Sequence, residues 1–264
     1  MDIQIFLTTV GAVYGDGIGS ADPVPETVAR SLDNTGTETG QHLQIADDNQ
    51  LQLGAGGWTI TGFFRPTFIS GGFTVREILS KGSFDLATTA SYRMYVTDLT
   101  DAIAVSVSDG STIFTAQTGV SSIANNTWYF FEAVYNATTN VLSLALDRGV
   151  PVTTSSVTDP QSIEADFRIG SGSSTGFTPF KGQISQIGMW DRILSSGELD
   201  DLYNSGLGQL WANLDGATQS GILAYWELDE LSTGVAQVDR LDSSSNNNDL
   251  TDNDHLASSS EVPV

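Results

Sequence analysis

Between Phe180 and Gly206 (FKGQISQIGMWDRILSSGELDDLYNSG) the hydrophobic period of this chain changes from two residues to about three and a half. Ile184, Ile187 and Met189 alternate with small or polar residues from Gly182 to Trp190, which predicts a strand with one buried face and an irregularity near Gly188, where the alternation slips. Ser195 or Ser196 then offers an N-cap, and Glu198 and Asp200 stand where a helix dipole favours negative charge. Leu199, Leu202 and Tyr203 form an apolar stripe that Gly206 closes, which predicts one helix over Ser196 to Ser205. Everything upstream is strand-like. Runs at 74–80, 92–97, 102–108, 112–117, 128–136, 141–147, 150–155 and 167–170 follow one another at short spacing, separated by Gly, Asn, Asp or Ser clusters. That rhythm predicts an all-β, two-sheet antiparallel sandwich of the jelly-roll kind with one short helix.

Three stretches carry a resemblance to a known family. They are the strand and acidic helix just described, the segment Gln41–Pro66 with its acidic turn Asp47-Asp48-Asn49 and strong strand Trp58–Phe64, and the hairpin from Trp128 to Gly149 with its tight turn at Asp147-Arg148-Gly149. Together they resemble the concanavalin A-like (laminin-G-like) lectin/glucanase sandwiches, of the type found in phage structural proteins. The resemblance runs from Leu32 to Asp254 in permuted order. A Tyr-Trp-x-Leu-Asp-Glu strand and an Asp-Ser loop, which stand first in that family, here form Tyr225–Glu230 and Asp242–Thr251 at the far end. The expected layout is an N-terminal arm and linker over 1–31, a sandwich over 32–254 whose first strands come from 222–251, and a tail over 255–264. An apolar slot left at Leu32 needs filling, so 222–251 is expected to close this chain's own sandwich; donation to a neighbour is the alternative.

Thirty-two acidic against ten basic residues give a net charge of −22, which repels phosphate backbones and anionic lipid and argues against nucleic-acid and membrane partners. No apolar run approaches the 18 residues of a membrane span, and cysteine is absent. Met1–Val13 is apolar, but Asp2 replaces the basic start of a signal peptide and Gln4, Thr8 and Thr9 interrupt the run. It reads instead as an unpaired strand that docks on a second copy or on a capsid protein.

Glu227 and Asp229 lie two apart on a predicted strand, with Glu230 opposite. The family's glucanases, by resemblance, need a further Glu where this chain has Ser232. His42 and His255 are far apart, and GSGSSTG at Gly170–Gly176 lacks the lysine of a phosphate loop. The expectation is therefore no enzyme. Asp242, Asn246, Asn248 and Asp249 offer the hard oxygens that calcium prefers, and the resemblance implies calcium near this loop. The alternative is a turn capped by its own side chains. Of the tryptophans, Trp58, Trp128, Trp190 and Trp226 fall in strand patterns and read as core. Trp211, then Tyr92 and Tyr95, are the candidates for stacking on a sugar ring. The function read from these features is a structural or interaction protein at a virion surface (capsid decoration or fibre) that also takes glycans. A secreted carbohydrate-binding lectin module is the alternative, and a glycoside hydrolase comes last.

Overall fold

The computed structural model describes residues 30–32, 42–47, 49–53, 56–67, 75–97, 100–173, 179–230 and 239–253. The arm at 1–13, the linker that follows it, His255 and the tail lie outside these residues. Among the described residues, fourteen strands make two antiparallel sheets. The first runs β1 (Arg30–Leu32), β12 (Gly182–Trp190), β3 (Trp58–Pro66), β8 (Tyr129–Asn136), β9 (Val141–Leu146) and β10 (Val152–Ser155), with β13 (Ile222–Trp226) also paired to β12. The second runs β14 (Thr251–Asn253), β2 (His42–Ile45), β11 (Phe167–Ile169), β4 (Arg76–Gly82), β5 (Ala90–Thr97), β6 (Ala102–Ser108) and β7 (Ile113–Gln117). This is the two-sheet jelly-roll sandwich expected from the spacing of the short strands.

Between the sheets lie Ile60, Phe64, Met94, Val105, Phe131, Leu144, Ile187 and Trp226, all fully buried. Each such side chain contributes about 1.5–3 kcal/mol. The first sheet is buried on its other face too. Phe63, Phe130, Trp190 and Tyr225 point outward from it and are covered by Leu199 and Leu202 of α1 (Ser196–Tyr203) and by Leu214. A strand covered on both faces has no polar side to show, which is why all nine residues of β12 are buried.

Strand β12 carries the irregularity read near Gly188. Its register against β3 shifts between Ser185 and Gly188, where Gln186 adopts a positive φ of 50°. The Asp147-Arg148 turn has both residues at positive φ, the twist that a tight hairpin requires. On the outward side of β12, β1 pairs with residues 182–184 and β13 with residues 187–190, so the two strands lie end to end along one edge. The C-terminal segment is thus paired within this chain at both places, β13 on β12 and β14 on β2.

Helix α1 begins with a reciprocal cap. Ser195 Oγ accepts from the Glu198 N–H, and the Glu198 carboxylate accepts from the Ser195 N–H at 2.7 Å. The helix stops at Asn204, two residues before the glycine expected to end it. Asn204 takes the left-handed conformation at φ 44°, and its side-chain amide donates to the Gly208 carbonyl at 2.8 Å. Arg192 grips Glu198 through two bonds of 2.6 and 3.1 Å and donates to the Ser220 and Ala217 carbonyls, tying α1 to the short α2 (Gly216–Gln219).

The Arg192 hydrogen bond, first among several, holds the Glu198 carboxyl at about 2, well below its ordinary value of 4.5. A depressed carboxylate stabilises the fold above its unfolded pKa and loses that contribution as pH falls through the folded one. Glu198→Gln should therefore lower the melting temperature at neutral pH, and the gap to the parent should shrink from about pH 4.5 and vanish near pH 2. A gap that stays constant with pH would show that the charge on Glu198 contributes nothing.

Candidate functional site

The polar groups of the sandwich gather on the outer face of the second sheet. Side chains alternate along a strand, so directly paired residues share a face. Gln44, Arg168, Ser80, Arg93, Ser106 and Thr115 are paired in that order across β2, β11, β4, β5, β6 and β7. Their sequence neighbours Leu43, Phe167, Leu79, Met94 and Val105 fill the core. The row of six therefore points outward.

Glu77 and Arg93 form the centre of this face. Their Oε1 and Nη1 atoms are 3.0 Å apart, and the Glu77 side chain is 1% exposed. The Arg93 guanidinium lies 4.4 Å from the Phe84 ring centre and 4.2 Å from that of Tyr95, which fixes its plane between two aromatic rings. Burial pushes the Glu77 carboxyl above its usual 4.5, while Arg93 opposes that shift. Ser80 also favours the charged form of Glu77, although its hydroxyl falls short of full hydrogen-bond geometry. Gly172 crosses directly over the carboxylate. A Cβ there would stand 2.0 Å from Glu77 Oε2, so a side chain at this position would push the carboxylate aside.

Among the described residues, five buried polar atoms in this patch have no hydrogen-bond partner: Glu77 Oε2, Ser80 Oγ, Arg93 Nε, Arg168 Nε and Ser173 Oγ. Native proteins rarely leave such groups unpaired, and those that remain mark strain, a bound water or ion, or a ligand position. Arg168 makes a 3.5 Å contact with Asp166 and donates to the Gly172 carbonyl at 3.4 Å. Asp166 and Ser173 in turn line an open cleft of about 760 Å³ bounded by Gly82, Ser83, Thr89 and Gln161. The patch thus offers both acceptors and donors beside a cleft large enough for a ligand.

The three residues expected to stack on sugars are not brought together. Tyr92 faces inward, fully buried, with its hydroxyl donating to the Leu51 carbonyl at 2.8 Å, so it has no face to offer. Tyr95, three residues on, points outward but is only 7% exposed, because Arg93 lies on its ring. Trp211 sits on the opposite side of the molecule, in the layer over the first sheet. It is half-buried 5.7 Å from the Tyr225 ring, and its backbone N–H donates to Glu227 Oε1 at 2.8 Å.

The loop expected to hold calcium is instead closed by its own donors. Asp242 Oδ1 accepts from the Tyr225 and Ser244 N–H groups at 3.0 and 2.9 Å, and Oδ2 accepts from the Asn248 N–H at 3.0 Å. Asp249 Oδ1 accepts from the Asp242 N–H at 2.8 Å. The amide groups of Asn246 and Asn248 donate to the Ile222 and Leu223 carbonyls. Backbone N–H groups crowd the oxygens a cation would need, and among the described residues no three acidic or histidine side chains are grouped to hold a metal ion. The capped-turn alternative describes this geometry.

Glu227 and Glu230 are occupied as well. Glu227 holds the Trp211 N–H, and Glu230 accepts from the Leu241 N–H at 2.5 Å and lies 3.7 Å from the buried Arg240. Burial raises both carboxyls above their usual range. His42 makes a 3.0 Å contact with Gln44 through its ring nitrogen.

No curated protein sequence matches this chain. Among solved structures it is similar to a "putative carbohydrate binding protein" from Bacteroides ovatus, at 13% identity and a TM-score of 0.58 over 90% of this chain and 60% of that one. It spans 60% of the length of that protein. Weaker likenesses are a heptameric SAP-like pentraxin from Limulus polyphemus (16% identity, TM-score 0.46, 66% of this chain and 79% of that one) and tailspike protein 2 of the Escherichia coli O157:H7 bacteriophage CAB120 (13%, 0.45, 71% and 26%). Residues 36–200, more than half of the chain, match the sequence profile of the concanavalin A-like lectin/glucanases superfamily. With the sandwich, its cap helix and that match in agreement, this chain belongs to the concanavalin A-like lectin/glucanase superfamily.

Proposed function

We propose that this chain is a non-enzymatic binding module that takes a glycan on the outer face of its second sheet. The observation that carries this reading is the set of unpaired buried atoms around Glu77, Arg93, Arg168 and Ser173, beside the cleft at Asp166. A sugar hydroxyl both donates and accepts, so adjacent hydroxyls in the cleft satisfy the Ser173 hydroxyl and the Asp166 carboxylate at once. The likeness to the Bacteroides ovatus protein supports the ligand class. The engagement of Glu227 and Glu230 with backbone groups supports the absence of hydrolysis.

The setting proposed for the module is a virion surface, with an extracellular lectin as the alternative. The strongly acidic composition and the apolar pattern of Met1–Val13 support it, the latter as the docking strand for a second copy or a capsid protein.

A glycan array run with and without EDTA tests the binding. The folded parent should bind saturably, and Arg168→Gln and Ser173→Phe should weaken that binding about tenfold or more, the equivalent of at least one hydrogen bond. Unchanged binding in both variants, or silence from a folded parent, would sink the site. Deleting residues 1–20 in the same assay should abolish assembly and leave glycan binding intact.

A further inference from the structure

We propose a second ligand site at the end of the sandwich where the chain enters β3, shaped for a neutral polyol the size of one sugar ring. It is separate from the face of Glu77 and Arg93 and does not depend on it. The turn Gly56-Gly57, with Gly57 at φ +86°, delivers Trp58 to the first position of β3. There the indole packs 6.0 Å from the Tyr135 ring, on the paired residue of β8.

Trp58 is 1% exposed, and its indole N–H has no acceptor. The same side chain walls a cleft of about 330 Å³. Buried Leu53 and half-buried Leu223 complete the apolar lining, while exposed Asn49, Gln50 and Asp191 and half-buried Gln52 form the polar part. Asn49 and Gln50 belong to a short 3-10 turn held in place from below, where the Leu51 carbonyl accepts from Tyr92. Asp191 is fixed at the exit of β12, with its N–H donated to the Gly221 carbonyl at 2.9 Å.

Each feature narrows the ligand. The volume lies at the lower end of the roughly 300–1,000 Å³ of ligand clefts, which suits one ring and not a chain of them. One water occupies about 30 Å³, so water alone satisfies the N–H and leaves most of the space without a specific occupant. Among the described residues, Asp191 is the one ionisable side chain in the lining, which disfavours anions. Amides and a carboxylate beside an aromatic and leucine floor complement hydroxyls on one side of a molecule and C–H groups on the other. An indole N–H needs an acceptor, and a hydroxyl or ring oxygen supplies it.

Saturation-transfer NMR with free glucose, galactose, mannose and N-acetylglucosamine tests the proposal. At least one of these probes should give a saturable signal with the parent, retained in Arg168→Gln and lost in Gly56→Phe. A side chain fits at Gly56 without strain, since nothing lies within 4 Å of its Cβ position, and phenylalanine there plugs the cleft. Trp58→Phe removes the N–H together with part of the buried ring, so it should lower the melting temperature of the free protein and weaken binding about tenfold or more, at least the factor for one hydrogen bond. The proposal is overturned if no probe binds the folded parent, if binding survives Gly56→Phe, or if Trp58→Phe binds as tightly as the parent. Binding lost in Arg168→Gln but kept in Gly56→Phe also overturns it, and assigns the signal to the first site.

Discussion

A chain ending at Gly221 is expected not to fold. The truncation removes β13 and β14 together with Tyr225, Trp226, Leu228 and Leu250, each at most 1% exposed. Four side chains at about 1.5–3 kcal/mol apiece come to much of the 5–15 kcal/mol that a whole domain holds. The loss is also structural. The Trp226 ring stacks 5.3 Å from Phe167 of the second sheet while its strand belongs to the first, so it ties the two sheets together. Its N–H donates to the Asn248 carbonyl at 2.7 Å, which binds the last loop into the same knot. Removing the segment also opens the edges of β12 and β2 to solvent. Circular dichroism should show no cooperative melting transition, and size exclusion should show aggregate. A truncated monomer that melts cooperatively would mean that the segment is an appendage and the sandwich complete without it.

Asp242→Ala should be the most damaging single substitution among the polar residues, at about 3–5 kcal/mol. One carboxylate holds three backbone N–H groups, and hydrogen bonds to a charged acceptor contribute about 1.5–3 kcal/mol each. Alanine leaves all three donors without an acceptor in a site that is 8% exposed. Asp242→Asn should fall between the parent and alanine, since one oxygen remains and an N–H₂ group now faces a donor. Denaturant titration gives these values. Adding calcium or EDTA to the parent should leave the melting temperature in place, because the loop oxygens already serve backbone donors. A calcium-dependent rise that Asp242→Ala abolishes would restore a metal to this loop.

The elements that the sequence made legible are those whose signal is local. Ser195 and Glu198 stand three residues apart and cap one another, so the start of α1 could be read from the pattern alone. Its end could not. Asn204 took the left-handed position that Gly206 was expected to hold, a choice decided by the bond from Asn204 to Gly208. Period-two alternation also gave the strands, but alternation does not say which face meets the core. Tyr92 and Tyr95 differ by three positions and therefore lie on opposite faces, which separates them whichever face is inner.

The polar patch was hidden for a different reason. Glu77, Arg93 and Arg168 come from three strands that are neighbours only in the sheet, so no window of the sequence holds them together. A hint existed in the composition. Of the ten basic residues in so acidic a chain, Arg93 and Arg168 occupy outward positions of strands, where threonine or serine would serve packing equally well. Asp242 shows the converse limit of reading by composition. Its loop has the oxygen-rich composition of a calcium site, yet composition cannot show that the neighbouring N–H groups point inward.

The end-to-end placement of β1 and β13 along β12 has a consequence for the order in which the chain is made. When β12 leaves the ribosome, half of its outer edge has a partner already synthesised, and the other half waits for β13. At about 5–20 residues per second, the stretch from 191 to 253 takes several seconds to appear. Throughout that interval residues 187–190 present unpaired backbone next to exposed apolar surface, and β2 waits in the same way for β14. A second nascent chain on the same message, running slightly ahead, carries the missing strand at high local concentration. Because the last strands complete both sheets, the timing of synthesis, as much as the final energy, bears on whether each chain closes upon itself or upon its neighbour.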